Sequence, residues 1–247
     1  MPQSAEPPGL RTNRDCLVCG QCIKSCEPDN MRLLVRRPFH PGDVREAQAS
    51  WPVAAFVMLV SGFVTYELCT EWPAAKALFL LVPHLVGEWV GVPSLAGYIK
   101  ALWMLVVVPL VVWTLLSAVT RLLGDGDTLS QVWRRAALPV AVVVSAGHMA
   151  KSIAKSASWG GFLPGAMREP GGVETVLALT NGTLARPGSL LPMSVVAGAG
   201  VVLLLAGLCL ALREVGLADP RAGWARRVPV VVFALGYLTI VIGWAFP

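Results

Sequence analysis

The chain has 247 residues, of which 55% are hydrophobic and only 14% charged. A soluble domain carries about 25% charged residues, so this composition argues against a soluble globular protein, and its apolar content argues against disorder. The net charge of +5 does not form the single basic stripe of a nucleic-acid binder; no nucleic-acid partner is expected. The basic residues are spread between apolar blocks, as orientation signals are in membrane proteins.

The charge is unevenly placed. Residues 1–46 hold seven Lys/Arg and six Asp/Glu, leaving thirteen and nine for the rest. This divides the chain into a polar head and linker, 1–46, and a helical membrane domain, 47–247. The head contains no apolar run that would serve as a signal peptide, so it is expected to stay on the cytoplasmic side of the bacterial inner membrane.

The head carries Cys16-Leu-Val-Cys19-Gly-Gln-Cys22-Ile-Lys-Ser-Cys26-Glu-Pro28. Four thiolates at C-x2-C-x2-C-x3-C spacing can converge on one inorganic core, and Gly20 lets the backbone come close to the sulfurs. A [4Fe–4S] cluster ligated by Cys16, Cys19, Cys22 and Cys26 is the expected cofactor. Zinc ribbons use two separated C-x2-C pairs, and disulfides are disfavoured in a reducing cytoplasm. Cys69 and Cys209 sit in or beside apolar segments and read as small apolar residues. His40 reads as a linker residue.

These residues resemble the bacterial ferredoxin-type motif, and Pro28 to Val35 is similar to the turn and short strand that follow its last cysteine. Together with the apolar body, the chain resembles membrane-bound ferredoxin-type 4Fe–4S proteins of the NapH/NosR kind. His148-Met-Ala-Lys151 and Trp159-Gly-Gly-Phe-Leu-Pro164 are similar to membrane iron–sulfur proteins of the FesM type. The resemblance implies an electron carrier between the quinone pool and a partner oxidoreductase, a redox subunit of a larger complex and not a stand-alone enzyme. The alternative is a non-enzymatic anchor, assembly or redox-sensing subunit with a structural cluster. Glu27 stands where the family has proline directly after the last cysteine.

In two-cluster ferredoxins the fourth cysteine of each motif ligates the other cluster, and this sequence has one motif. Cys26 closes its own cluster, or a partner chain supplies a second motif in trans, or two copies form a homodimer and exchange Cys26. A further alternative is that the chain is part of a longer or split protein that carries the second motif.

A bilayer span needs about 20 apolar residues. In chain order, uncharged stretches run over 47–66, 101–120, 187–212 and 228–247, and a shorter one over 136–150 is extended by Trp133 and a snorkelling Lys151. The region 74–98 is interrupted by Lys76, Pro83, His84, Glu88 and Pro93, and reads as a sixth helix or as a re-entrant or interfacial hairpin. Loop charge favours five spans, because Arg134, Arg135, Arg226 and Arg227 then share the side of the head. The fold expected is an all-α polytopic bundle of five to six spans with a small ferredoxin-like segment. A short apolar run at 173–179 is stopped by Asn181-Gly182. No internal repeat suggests a transporter.

Ionisable residues inside membranes are functional candidates. Ser145, His148, Lys151, Ser152 and Lys155 share one helical face by spacing. His148 is a candidate to hydrogen-bond a quinone carbonyl or relay a proton, and Lys151 and Lys155 to attract an anionic semiquinone or a lipid headgroup. The competing reading is a packed histidine with snorkelling lysines. His84 and Glu88, an i,i+4 pair, are a second quinone or proton candidate, with an interfacial polar pair as the competing reading. Haem b would need His84 and His148 to face each other, and no haem-binding pattern supports it. The nine tryptophans mostly fall near span ends and read as an interfacial belt, not a cofactor box.

Overall fold

The computed structural model describes residues 49–185, 187–218 and 223–246. The head with Cys16, Cys19, Cys22 and Cys26, and His40, lie outside the described residues. Every regular element described is helical.

Helix α1 spans Trp51–Cys69 and α2 spans Pro73–Val90, each opened by a proline in its first turn, where the missing N–H costs nothing. Gly91, at φ 67°, ends α2 in the left-handed region that glycine tolerates. A short 3-10 turn leads into α3, Ala96–Leu102, then one wider π turn, Trp103–Val107, then α4, Val108–Leu122. Pro109 has no N–H to give the ladder beside that turn. The Val108 N–H instead reaches back five residues to the Trp103 carbonyl.

Helix α5, Leu129–Trp159, is the longest. Thr128 and Gln131 form its capping box, each side chain taking up the other's backbone N–H. The short α6, Leu163–Arg168, and α7, Val173–Thr180, precede α8, Met193–Ala218, and α9, Val228–Gly243.

Five helical stretches are long and apolar enough to cross a membrane: Trp51–Cys69, Pro93–Leu122, Leu129–Arg168, Met193–Ala218 and Trp224–Gly243. This is the five-span count that loop charge favours. The bounds differ from the uncharged stretches. Helix α5 extends well beyond 136–150 because the capping box starts it at Leu129 and its lysines have partners. Helix α8 begins and ends six residues later than 187–212, since Pro187 to Pro192 cannot nucleate a helix and Arg213 and Glu214 do not stop one. The 74–98 region is a helical hairpin, α2 then α3, whose second arm continues into a span. The run at 173–179 forms α7, and Gly182 turns the chain at φ 69°.

Four hydrogen bonds define the two ends of the bundle. Arg134 Nε donates to the Ala49 carbonyl at 2.9 Å, placing the start of α1 beside the start of α5. Lys151 joins Thr70 and Glu71 at the opposite end, and Trp244 Nε1 donates to the Leu68 carbonyl at 3.0 Å. The 123–128 loop, the end of α8 and the turn that opens α9 therefore share the end where the chain enters from the head. Residues 70–72, 160–185 and 187–192 lie at the far end.

Helix α5 is central and packs on α1, α8 and α9. Its buried face is mostly small: Ala137, Val140, Val143, Ala146, Gly147, Ala150, Ala154. Helix α8 answers with Val196, Gly200, Leu204, Gly207 and Ala211. Small residues let helix backbones approach in lipid, where van der Waals contact replaces the hydrophobic drive. A Cβ on Gly207 would stand 2.7 Å from the Ala146 Cβ, and one on Gly147 would stand 2.7 Å from the Tyr237 ring.

Candidate functional site

At the far end α1 presents Glu67, the turn after it presents Glu71, and α5 presents Lys151 and Lys155. Each pair is four residues apart in the chain, and the two carboxylates match the two ammonium groups charge for charge. Lys155 Nζ lies 2.6 Å from Glu67, and Lys151 is paired with Glu71. Lys151 also donates to the Thr70 hydroxyl at 2.7 Å, which donates in turn to the Glu67 carbonyl at 2.6 Å. Lys151 is 2% exposed, so the helical face expected from spacing is split. Lys151 turns into the bundle, while Ser145, His148 and Ser152 face outward. His148 and Lys151 do not line one pocket. Lys151 neither snorkels nor stands free to take a ligand, because a buried ammonium needs the partners it has.

His84 and Glu88 are brought together. They line a groove of about 530 Å³ between α2 and α3, with Lys100 on its opposite wall. Lys100 sits 4.5 Å above the Tyr66 ring, one residue before Glu67, so the groove lies at the far end. Trp103 Nε1 fixes α3 to α2 by donating to the Phe79 carbonyl at 2.9 Å. Among the described residues no group of three or more His, Cys, Asp or Glu could hold a metal ion.

The head end carries a denser ionic cluster. Arg135 pairs with Asp125 at 3.2 Å and with Asp127, and Arg226 lies 3.5 Å from Asp125. These contacts tie the 123–128 loop to the starts of α5 and α9. A cavity of about 40 Å³ lies beneath, lined by Asp125, Arg135 and Arg226.

Two further features escaped the sequence reading. Glu214 is buried in the last turns of α8, one residue past the charge that closes the apolar stretch. Its signal was an acidic residue amid an unbroken helical pattern. Trp113 and Trp133 are not belt residues. A run of rings, Trp51–Trp133–Trp113–Phe233–Tyr237, descends from the head end with centroid steps of 6.0 to 6.4 Å. Buried Trp113 donates its Nε1 to the Ser61 hydroxyl at 3.1 Å.

Outside the spans, the Glu169 carboxylate caps α7. It accepts the Glu174 N–H at 2.6 Å and the Thr175 N–H at 3.0 Å. These bonds, the Glu174 one first, hold its pKa below the usual value.

No protein-family model, curated protein or solved structure matches this chain.

Proposed function

We propose that the protein is a membrane-anchored electron-transfer subunit that works between the quinone pool and a partner oxidoreductase. The observation that carries this reading is C-x2-C-x2-C-x3-C in the polar head of a chain with five helices able to cross a membrane. Four thiolates at that spacing suit a [4Fe–4S] cluster, and Cys16, Cys19, Cys22 and Cys26 would hold it. Bound there, the cluster would supply one-electron transfer at the membrane surface.

The chain's own residues have two tasks in this reading. The bundle keeps the head at the lipid interface, and the ionic cluster of Asp125, Asp127, Arg135 and Arg226 gives the head end a rigid rim. The bacterial inner membrane is the proposed location, with the head cytoplasmic. Arg134, Arg135, Arg226 and Arg227 lie at the head end, as the positive-inside rule asks. Lys151 and Lys155, which weigh against that orientation, are taken up in pairs with Glu71 and Glu67.

Low-temperature EPR with iron quantitation on anaerobically purified protein tests the reading. Four irons per chain and a reducible cubane signal are expected. Cys19→Ser should abolish the signal while membrane insertion persists. Metal analysis that finds zinc, or no metal, in freshly purified protein would exclude the electron carrier. Native mass of the loaded protein distinguishes a self-contained cluster from exchange of Cys26 between two copies.

A further inference from the structure

We propose that the cleft between α4 and α9 is a binding site for the single-ring headgroup of a membrane quinone. The proposal rests on the electron-transfer reading for its ligand class and on the cleft itself for its place. The site differs from the His84, Glu88, His148 and Lys151 positions that the sequence singles out.

The cleft has a volume of about 190 Å³. A dry apolar cavity of about 150 Å³ accepts benzene, so one substituted six-membered ring fits. Its floor is α1, at Ser61, Gly62 and Thr65. Val108, Pro109, Val112 and Leu116 form one wall, and Phe233 and Tyr237 line the other. The π turn and Pro109 set this width, because Gly62 meets the Met104 carbonyl and the Pro109 ring without room for a Cβ. π turns of this kind recur at functional sites.

The mouth lies on the outer face of α9, at Val232, Gly236 and Ile240, where Val232 and Gly236 are exposed. In a membrane that face meets lipid, which is where a quinone travels. Gly236 has nothing within 4 Å of the Cβ position, so the opening at its centre is unfilled.

The polar groups suit a carbonyl. The Tyr237 hydroxyl donates to the Ser61 carbonyl at 3.1 Å, and the Thr65 hydroxyl donates to the same oxygen at 2.7 Å. Two donors share one acceptor, so either can turn to a ligand oxygen and leave Ser61 still bonded. An apolar cleft with a few convergent polar groups is the usual form of a small-molecule site.

Position separates this cleft from the other cavities. Ser61 lies ten residues from Trp51, about 15 Å along a helix. The His84 groove lies beyond Tyr66, about 22 Å or more from the head end by the same rise. Electron transfer weakens exponentially with distance, which favours the nearer site. The head-end cavity of about 40 Å³ is too small for a ring.

Photolabelling of the full chain in liposomes with a short-tailed azido-ubiquinone, mapped by mass spectrometry, tests the site. Label on α4 and α9 around Val112, Leu116 and Ile240, displaced by excess decylubiquinone, is expected. Gly236→Leu adds a side chain into open space and should cut displaceable labelling roughly tenfold or more. Tyr237→Phe should weaken it, and His84→Ala should leave it unchanged. Displaceable label at the His84 groove, label that excess quinone does not displace, or full labelling of Gly236→Leu would each overturn the site. Cys19→Ser should label as the parent does. The cleft thus stands or falls apart from the cluster, whose failure would show in EPR alone.

Discussion

Helix α5 and helix α2 are both apolar, yet they live in different surroundings. Helix α5 buries twelve of its residues, including Lys151, whereas α2 buries only Leu80 and Pro83. Leu78, Leu85 and Trp89 of α2 are more than half exposed, Trp89 at 88%. Apolar content does not explain the difference, since the exposed α2 is the more apolar of the two. Residue size does: α5 places Ala, Gly and Val on the face that meets other helices, while α2 carries large side chains outward. In a membrane, apolar content says that a helix can enter, and small residues say which face it packs with.

That contrast can be broken most sharply at the ion pairs. Lys151→Met leaves Glu71 without its buried partner and should destabilise the bundle by about 3–5 kcal/mol, read as a fall in thermal unfolding midpoint in detergent. Joining Lys151→Met with Glu71→Leu should recover most of that loss. Gly147→Leu drives a side chain into the Tyr237 ring and should cost about 1–3 kcal/mol. Thr128→Ala removes the cap that starts α5 and should cost about 1 kcal/mol. Leu85→Ala on α2, where the side chain is more than half exposed, should stay within about 0.5 kcal/mol. A large effect at Leu85 would mean that α2 packs against something other than lipid.

The same contrast has a pH test in the segment that joins α5 to α8. The Glu169 carboxyl is held below its ordinary pKa, so its support of α7 is complete above that ordinary value. It is lost as pH falls through the lower value in the folded chain. Amide proton shifts of Glu174 and Thr175 should move together through that range, and Glu169→Gln should abolish the titration.

Much of the fold was legible in the sequence because lipid imposes a simple rule. Long uncharged stretches bracketed by Arg and Lys mark the spans, and the arginine positions favoured five. Helix bounds were less legible. Thr128-Leu-Ser-Gln131 announces a helix start outside the apolar stretch, but it is visible only as a capping box. The ionic residues were the least legible. Lys151 and Lys155 were recognisable as unusual, yet their partners lie 80 and 88 residues away, and only the matching four-residue spacing of Glu67 and Glu71 links them. The α4–α9 cleft left no trace in any motif, because it arises where three helices meet around a π turn. The cysteine ligands were legible from spacing alone, since cluster chemistry is local in sequence.

The pairing of α1 with α5 has a consequence for biogenesis. Glu71 meets Lys151 across 80 residues of chain. At about 5–20 residues per second, synthesis of that interval takes roughly 4–16 s. During that time Glu67 in the last turn of α1 and Glu71 just beyond it have partners that do not yet exist, so they stay hydrated at the membrane surface. The first helix is seated fully only when the third long helix arrives, and insertion of this bundle is completed by a late chain segment neutralising an early one.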